Sequence, residues 1–568
     1  MQVHTAGGTM DGPQGLCSDN DHPAGMLGLG EPSPGAFPMG RRTMGTRDGA
    51  TMTLRLRNTL TRTVEPVEPM EPGLVRIYSC GPTVYRFAHV GNLRSFLLAD
   101  LIRRVLLYHG LDVLHVKNVT DVGHLRDERP GQVVDPMLVQ AGLENRSPAE
   151  IAKAYEAAFH ADEAAVNILP AHVFPRATEH IPEMVNLAEA LEDAGHAYAT
   201  LEGNVYYDVS SFPGYGRLSG NSLADLRAGH RGDVEPDKRD PADFALWKAA
   251  GEGRLLKWPT PRWGEGFPGW HLECSAMSMR YLGSTFDIHT GGIDNVFPHH
   301  EDEIAQSVPV GGAVPARLWV HGEFLLMEGH KMSKSAGNFQ RITELVERGV
   351  DPLAFRYLTL TSRYSRKLGY SDRSLAAAAS ALGSLRTRLR ALGPPPASGP
   401  WAAPSPLVAG SAGDRPEGIA SRPGGHGDGA GFAPGDRAGA PAAPLSAGGR
   451  ALHDRFVAAV DDDLDMPAAL ALTREILRTR LPDDERRWLV LDADLVLGLD
   501  LHRAWDARVG TDLPGAGVPE SVAALLSERE AARARRDFAH SDSIRAELAG
   551  LGWEVVDGPH ESSIRRRG

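Results

Sequence analysis

An α/β fold built on a parallel sheet is what this sequence predicts, and three observations carry the prediction. An apolar run at Leu74, Val75, Ile77 and Tyr78 reads as a buried strand. His89-Val90-Gly91-Asn92 follows and opens a pattern in which Leu93, Phe96, Leu97, Leu101, Ile102, Val105 and Leu106 recur at helical spacing, ending near Gly110. A second strand reads from Val113 to Val116. Strand, turn, helix and strand make a β-α-β unit with polar side chains at the helix N-terminus, where backbone N–H groups and the helix dipole favour an anion. There Gly91 is expected to let a nucleotide approach the backbone, and His89 and Asn92 to donate hydrogen bonds to phosphate oxygens.

Far downstream, Lys331-Met332-Ser333-Lys334-Ser335 places two lysines and two hydroxyls on one short stretch, a combination suited to a polyphosphate and to little else. Lys331 and Lys334 are candidates to neutralise phosphate charge, with Ser333 and Ser335 as hydrogen-bonding companions. Each motif alone has an ordinary reading, a plain loop for the first and a solvated basic turn for the second. In this order, and each attached to an α/β element, they resemble the two signatures of class I aminoacyl-tRNA synthetases.

Composition fits a large enzyme. With 568 residues, 42% of them hydrophobic, the chain can bury a substantial core, and its length suggests about four domains. No apolar run reaches the roughly 18 to 20 residues that span a bilayer, so no membrane association is expected. Sixty Lys and Arg against 73 Asp and Glu give a formal charge of −13, which argues against nonspecific coating of nucleic acid. A specific RNA partner would rely on local patches such as Arg529, Arg533, Arg535, Arg536, Arg545, Arg565, Arg566 and Arg567. Interleaved Glu528, Glu530, Asp537 and Glu547 give that stretch the look of a solvated helix face as well. Residues 1–51, rich in Gly and Pro with Met10, Met26, Met39 and Met44 scattered through them, are expected to be a disordered or untranslated leader.

Three cysteines are too few for a disulfide framework and suit a reducing compartment. Cys80 closes the first strand, facing the nucleotide crevice. Cys274 lies in Trp270-His271-Leu272-Glu273-Cys274, shortly before Phe297-Pro298-His299-His300-Glu301-Asp302-Glu303. Pro298 suits the first turn of a helix, which would set His299 and Glu303 on one face at i and i+4. Two thiolates, an imidazole and a carboxylate could hold tetrahedral zinc. Spacing alone leaves the set open: His300, His271 and His289 are further candidates, and a buried free cysteine is a common small hydrophobe.

As a group, Cys-Gly-Pro-Thr-Val-Tyr from Cys80, His-Val-Gly-Asn from His89, Trp-His-Leu-Glu-Cys-Ser-Ala-Met from Trp270, Asp-Ile-His-Thr-Gly-Gly-Ile-Asp from Asp287, Phe-Pro-His-His-Glu from Phe297 and the lysine pentapeptide resemble the cysteinyl-tRNA synthetase family. The likeness covers residues 52–392 and 450–568. It implies that Cys80, Cys274, His299 and Glu303 bind one Zn²⁺ per chain, which takes the substrate thiolate in preference to the hydroxyl of serine and makes editing unnecessary. It implies that Cys80, Gly81, Thr120 and Trp270 line the amino-acid pocket and that Asp294 lies near the adenosine. ATP with Mg²⁺, L-cysteine and tRNA(Cys) are the implied partners of a cytoplasmic monomer. Cysteine's carboxylate would attack the α-phosphorus, and the terminal adenosine of tRNA would then accept the cysteinyl group. Two departures stand out: family members often carry a second histidine where Asn92 stands, and many continue with an acidic pair and a lysine where this chain has Val122-Gly123-His124.

The expected organisation follows. Residues 52–125 and 266–341 form a Rossmann-type parallel-sheet catalytic domain. It is split by a connective insertion, 126–265, with helices at Pro148 to Ile168 and Glu179 to Ala194, a strand at Val205 to Val209, and contact with the acceptor end of tRNA. Residues 342–392 and 450–512 form a helical bundle. Between them, 393–449 is a flexible low-complexity insertion, with Trp401 as a candidate interaction motif. Residues 518–568 form a small C-terminal anticodon-binding domain, a basic helix to Leu548 followed by Trp553 to Gly558. The competing readings are a cysteine ligase acting on an amino-sugar, which would lack that last domain, and a nonenzymatic tRNA- or zinc-binding paralogue, which would have lost the lysines or a metal ligand.

Overall fold

Apolar residues on both faces of the first strand foretell a sheet covered on both sides, and the chain packs that way. The computed structural model describes residues 54–123, 126–129, 132–222, 237–251, 254–327, 329–331, 339–405, 407, 443–506, 520–535, 537–551, 553–557 and 562–566. The leader, Ser333, Lys334, Ser335 and most of 393–449 lie outside the described residues.

Strand β1 (Leu74–Ser79) leads through the His89 turn into α1 (Val90–Tyr108) and on to β2 (Asp112–Lys117). The chain then departs through α2 (Pro136–Glu144), α3 (Pro148–Ala165) and α4 (Ile181–Asp193) and a five-stranded antiparallel sheet. It returns in α5 (Trp270–Leu282), β3 (Phe286–Gly292), α6 (Glu301–Gly311) and β4 (Ala316–Gly322). The four strands pair in parallel in the order β4-β3-β1-β2. Ile77, Tyr78 and Ser79 of β1 stand opposite Ile288, His289 and Thr290 of β3. Because β1 continues to one side through α1 and the chain returns on its other side as β3, the strand order reverses between them. That reversal opens a crevice at the carboxyl ends of both strands, the usual place for a ligand in an open α/β sheet.

Helices α7 (Ile342–Glu347), α8 (Pro352–Thr359), α9 (Asp372–Arg390), α10 (Ala447–Asp461), α11 (Met466–Ile476) and α12 (Asp483–Leu497) follow. Their apolar faces join those of β1 and α1 in one continuous core, which includes Ile77, Leu97, Val105, Phe355, Leu385, Phe456 and Val490. Leu407, within the Gly- and Pro-rich segment, is also buried, against Leu169 and Leu495. A small unit follows, with α13 (Glu520–Ala534), α14 (Phe538–Gly550) and a two-stranded sheet of Trp553–Asp557 and Ser562–Arg566.

Two local expectations need correction. Within 342–392, Leu368–Tyr370 is a strand beside Leu325–Met327, because its buried-exposed-buried alternation has a period of two. The basic helix before Leu548 is two helices, the second capped by Asp537, whose carboxylate accepts the N–H of His540. As expected, helical backbone runs from Pro298: only Phe297 before it is extended (φ −141°, ψ 133°), and the turn Val296–His300 leads directly into α6.

Candidate metal and nucleotide site

Each element brings one piece to the crevice. At the end of β1 the Cys80 N–H donates to Thr290 O (3.3 Å), which sets its thiol beside β3. Gly81 follows, and a Cβ there would fall 1.7 Å from Asn118 O, so only glycine permits this crossing. Its N–H donates to Asn118 Oδ1 (2.8 Å). Helix α5 starts at Gly269, where a Cβ would meet Ala245 O at 2.0 Å, and carries buried Cys274 in its second turn. Helix α6 opens with Glu301, Asp302 and Glu303, three carboxylates where the dipole favours negative charge, all of them buried.

Ligand atoms of Cys80, Cys274, His299 and Glu303 all lie within 4.8 Å of one another. His299 Nε2 is 3.3 Å from Cys274 Sγ and 3.0 Å from Glu303 Oε1. His299 and Glu303, at i and i+4 along continuous helical backbone, thus meet on one face. A second group, Cys80, His289, His300 and Glu303, satisfies the same distance test, with Cys80 Sγ 3.1 Å from His300 Nε2. Two facts separate them. His289 Nε2 and Glu303 Oε2 are hydrogen-bonded at 2.8 Å, which occupies that oxygen, whereas buried Oε1 has no hydrogen-bond partner among the described residues. The first group also unites both sulfurs. A buried carboxylate oxygen facing an imidazole nitrogen and two thiols is a donor set suited to a thiophilic cation. Burial pushes both thiols above the ordinary range, Cys274 well above it; as ligands they would have to lose their protons to the cation.

The surroundings orient these donors. His271 and His299 face each other through their Nδ1 atoms at 2.9 Å, and His271 Nε2 is 3.3 Å from Asp302 Oδ2. The Trp270 ring stacks on His299 with centroids 4.4 Å apart and planes at 20°. Thr120, buried at the end of β2's extension, donates from Oγ1 to Glu273 Oε2 (2.8 Å). Glu273, Asp302 and His321, whose Nε2 is 2.8 Å from His300 Nδ1, escaped the sequence reading. The run of three acids at the start of α6 was a visible signal; nothing in the sequence pairs Glu273 with Thr120.

At the nucleotide turn the structure departs from expectation. His89 Nδ1 accepts the Asn92 N–H (3.2 Å) and Asn92 Oδ1 accepts the His89 N–H (3.2 Å), a reciprocal cap on α1. A Cβ on Gly91 would meet His89 ring atoms at 2.9 Å, so this glycine makes room for the imidazole rather than only for a ligand. The cap fixes the neutral ring's proton on Nε2, the donor form. Phe339, just beyond the lysine stretch, meets the His89 ring edge-on at 5.2 Å, and the Val90 N–H donates to Gln340 O (2.9 Å). Lys331 ends the short strand His330–Lys331, which pairs with Leu325–Met327. Asp294 is exposed on the turn Ile293–Asn295 after β3, and a Cβ on Gly292 would lie 2.6 Å from its carboxylate.

Comparison with known proteins places these features in context. The family model described as the tRNA synthetases class I (C) catalytic domain matches residues 66–380, and that of the cysteinyl-tRNA ligase anticodon binding domain matches 515–565. Cysteine--tRNA ligase 1 of Burkholderia lata is 42% identical over 512 residues, covering 89% of this chain and 96% of that protein. The cysteine--tRNA ligase of Salinibacter ruber is 38% identical over 556 residues, covering 91% and 98%. That of Thermus thermophilus is 38% identical over 516 residues, covering 89% and 98%.

Proposed function

The chain belongs to the cysteine–tRNA ligase family of class I synthetases, and on that premise we propose that it joins L-cysteine to tRNA(Cys) through a cysteinyl-adenylate made from ATP. The observation that carries the reading is the meeting of two thiols, an imidazole nitrogen and a buried carboxylate oxygen within 4.8 Å at the β1–β3 switch point. Cys80, Cys274, His299 and Glu303 would hold one Zn²⁺. When bound, the ion supplies a soft coordination position that favours the thiolate of cysteine over the hydroxyl of serine.

The chain's own residues do the rest by positioning. His289 holds Glu303 by its second oxygen, and Trp270 braces His299 from one face. Thr120, fixed by Glu273, and the main chain at Gly81 bound the amino-acid pocket. The N-terminus of α1 aims its dipole and the Nε2–H of His89 at the triphosphate, with Asn92 and Gly91 keeping that ring in place. Lys331 and Lys334, with Ser333 and Ser335, neutralise the β- and γ-phosphates alongside Mg²⁺, and Asp294 lies toward the adenosine. No general base is needed, because cysteine's carboxylate is ionised at neutral pH. The acceptor is the 2′-hydroxyl of the terminal adenosine. We take 126–265 as the connective insertion, whose antiparallel sheet runs on to Pro268, and 518–568 as the unit that reads the anticodon. No described helix is long and apolar enough to cross a membrane. From its family membership we assign the enzyme to the cytoplasm, and we take it to act as a monomer.

Cysteine-dependent ATP–pyrophosphate exchange, run with serine as competitor and with metal removed by chelator, tests this reading. Exchange should fall on verified zinc loss and return on zinc addition. The Cys274→Ser variant should lose about 100-fold or more. Undiminished exchange and serine rejection in the metal-free protein would refute the selection mechanism. Charging of tRNA, as against an amino-sugar, decides the acceptor.

A further inference from the structure

Far from the crevice, the second half of α1 carries a polar cluster that the chemistry above does not use. Asp100, Arg104 and Arg356 are all buried. Asp100 Oδ2 accepts from Arg104 Nε (2.8 Å) and Arg356 Nη2 (2.6 Å), while its Oδ1 accepts the Leu169 N–H (2.8 Å). Burial alone would raise this carboxyl; the two guanidinium groups hold it below the ordinary range instead. Each arginine then reaches outward. Arg356 donates to Leu497 O (2.7 Å), Val166 O (3.0 Å) and Asn167 O (2.8 Å). Arg104 donates to Leu495 O (3.2 Å) and Asn167 O (2.7 Å). Asn167 Nδ2 closes the circuit on Gly498 O (2.9 Å) and Asp500 Oδ1 (2.7 Å).

This knot ties four places together: the nucleotide-turn helix α1, the exit of α3 in the insertion, α8, and the carboxyl end of α12. The last is where the chain leaves the bundle toward residues 520–566. The bare carbonyls at a helix C-terminus carry partial negative charge, and the two guanidinium groups supply both the donors and the positive charge to match. Helix α9 clasps the same exit, with Arg390 Nε donating to Ala504 O (2.7 Å) and Arg386 Nη2 to Leu499 O (3.4 Å). Gly498 (φ +64°) leaves no room beside the knot, since a Cβ would lie 2.5 Å from Arg356 Nη2. Asp100 sits about 15 Å along α1 from the His89 turn, at 1.5 Å per residue. A single rigid helix therefore links the nucleotide turn to the bundle exit.

We propose that the Asp100–Arg104–Arg356 knot is a coupling element, in which Arg356 is a positioning residue that holds the path to the C-terminal unit in register with the catalytic crevice, so that a tRNA bound at its far end presents its acceptor end correctly. This rests on the tRNA-charging reading above. Loss of the knot should spare cysteine activation, which needs only the crevice, and impair use of full-length tRNA.

The test compares the full chain with Arg356→Lys, which keeps the charge but loses the fork, and Gly498→Ala, which crowds the guanidinium and removes no charge. Three rates are read: pyrophosphate exchange, charging of full-length tRNA(Cys), and charging of an acceptor-stem minihelix lacking the anticodon. Exchange should stay within roughly a factor of two. The ratio of full-length to minihelix kcat/KM should fall about tenfold, the size of a typical coupling between sites. A parallel loss of all three rates would show that the knot merely holds the fold together, and an unchanged ratio would show no coupling; either overturns the proposal. If Arg356→Lys is insoluble, Gly498→Ala alone decides by the same ratio. Absence of exchange in the parent chain would instead count against the activity itself.

Discussion

Single residues show how closely chemistry and packing are entangled here. His89 looks like a phosphate ligand in the sequence, yet its Nδ1 first serves α1 as a helix cap, and Gly91 is the residue that admits the ring. Those roles combine, because a capped imidazole is an oriented one. Gly91→Ala places a methyl group where the ring lies and must turn the imidazole aside. We expect the exchange rate at subsaturating ATP to fall about tenfold, with little change in KM for cysteine; an unaltered ATP dependence would show that the ring's orientation does not matter. Asn92 completes the cap through Oδ1, a role its amide fills without an imidazole.

At the scale of elements, α3 carries an unusual cost. Asp162 is buried with Oδ2 lacking a hydrogen-bond partner among the described residues. Burial pushes its pKa up to about 6, against a partial opposing pull from Arg341. A carboxyl whose folded pKa is raised binds its proton more tightly in the native state, so its favourable contribution is complete below the unfolded value near 4 and is lost as pH rises through about 6. Asp162→Asn should therefore stabilise the protein at pH 7 to 8 relative to the parent, by up to about 3 kcal/mol, and make no difference near pH 3.5. Denaturant unfolding of both proteins across that range checks the sign. A variant that is less stable at pH 8 would mean that the carboxylate has a partner. Helix α6 shows the opposite use of acids, since Glu301 and Glu303 each have donors, Ser219 N–H (2.7 Å) for the first and His289 for the second.

Across the whole molecule, catalytic and helical parts share one core, whereas the small C-terminal unit has its own, around Val522, Ile544, Leu548, Trp553 and Val555. Among the described residues, none from 520 onward belongs to the main core. A chain lacking residues 507–568 should therefore fold and retain cysteine-dependent exchange, while charging of full-length tRNA falls about 100-fold or more. Parallel steady-state assays of the two reactions check this, and equal losses in both would deny the C-terminal unit a separate role. Within the Gly- and Pro-rich segment, Leu407 packs on Leu169 and Leu495 in a small cluster of its own beside Leu107 and Tyr108.

Local periodicity alone determined a good deal of this protein. The strand at Leu74, the helix after His89 and the strand at Val113 are where their apolar spacing puts them, because burial of one face is a short-range demand that a sequence records directly. Element edges were less legible: the cap draws α1 back to Val90, and the basic helix before Leu548 breaks in two at Asp537. The motifs also named Cys80, Cys274, His299 and Glu303, but spacing could not choose among the histidines. Only the tertiary structure brought these residues within 4.8 Å and bound His289 to the other oxygen of Glu303. Thr120 with Glu273, and Asp100 with Arg356, were likewise invisible in the sequence. Such pairs are fixed by strand order and helix crossing, which join residues far apart in the chain, and nothing in their immediate neighbours encodes the partner.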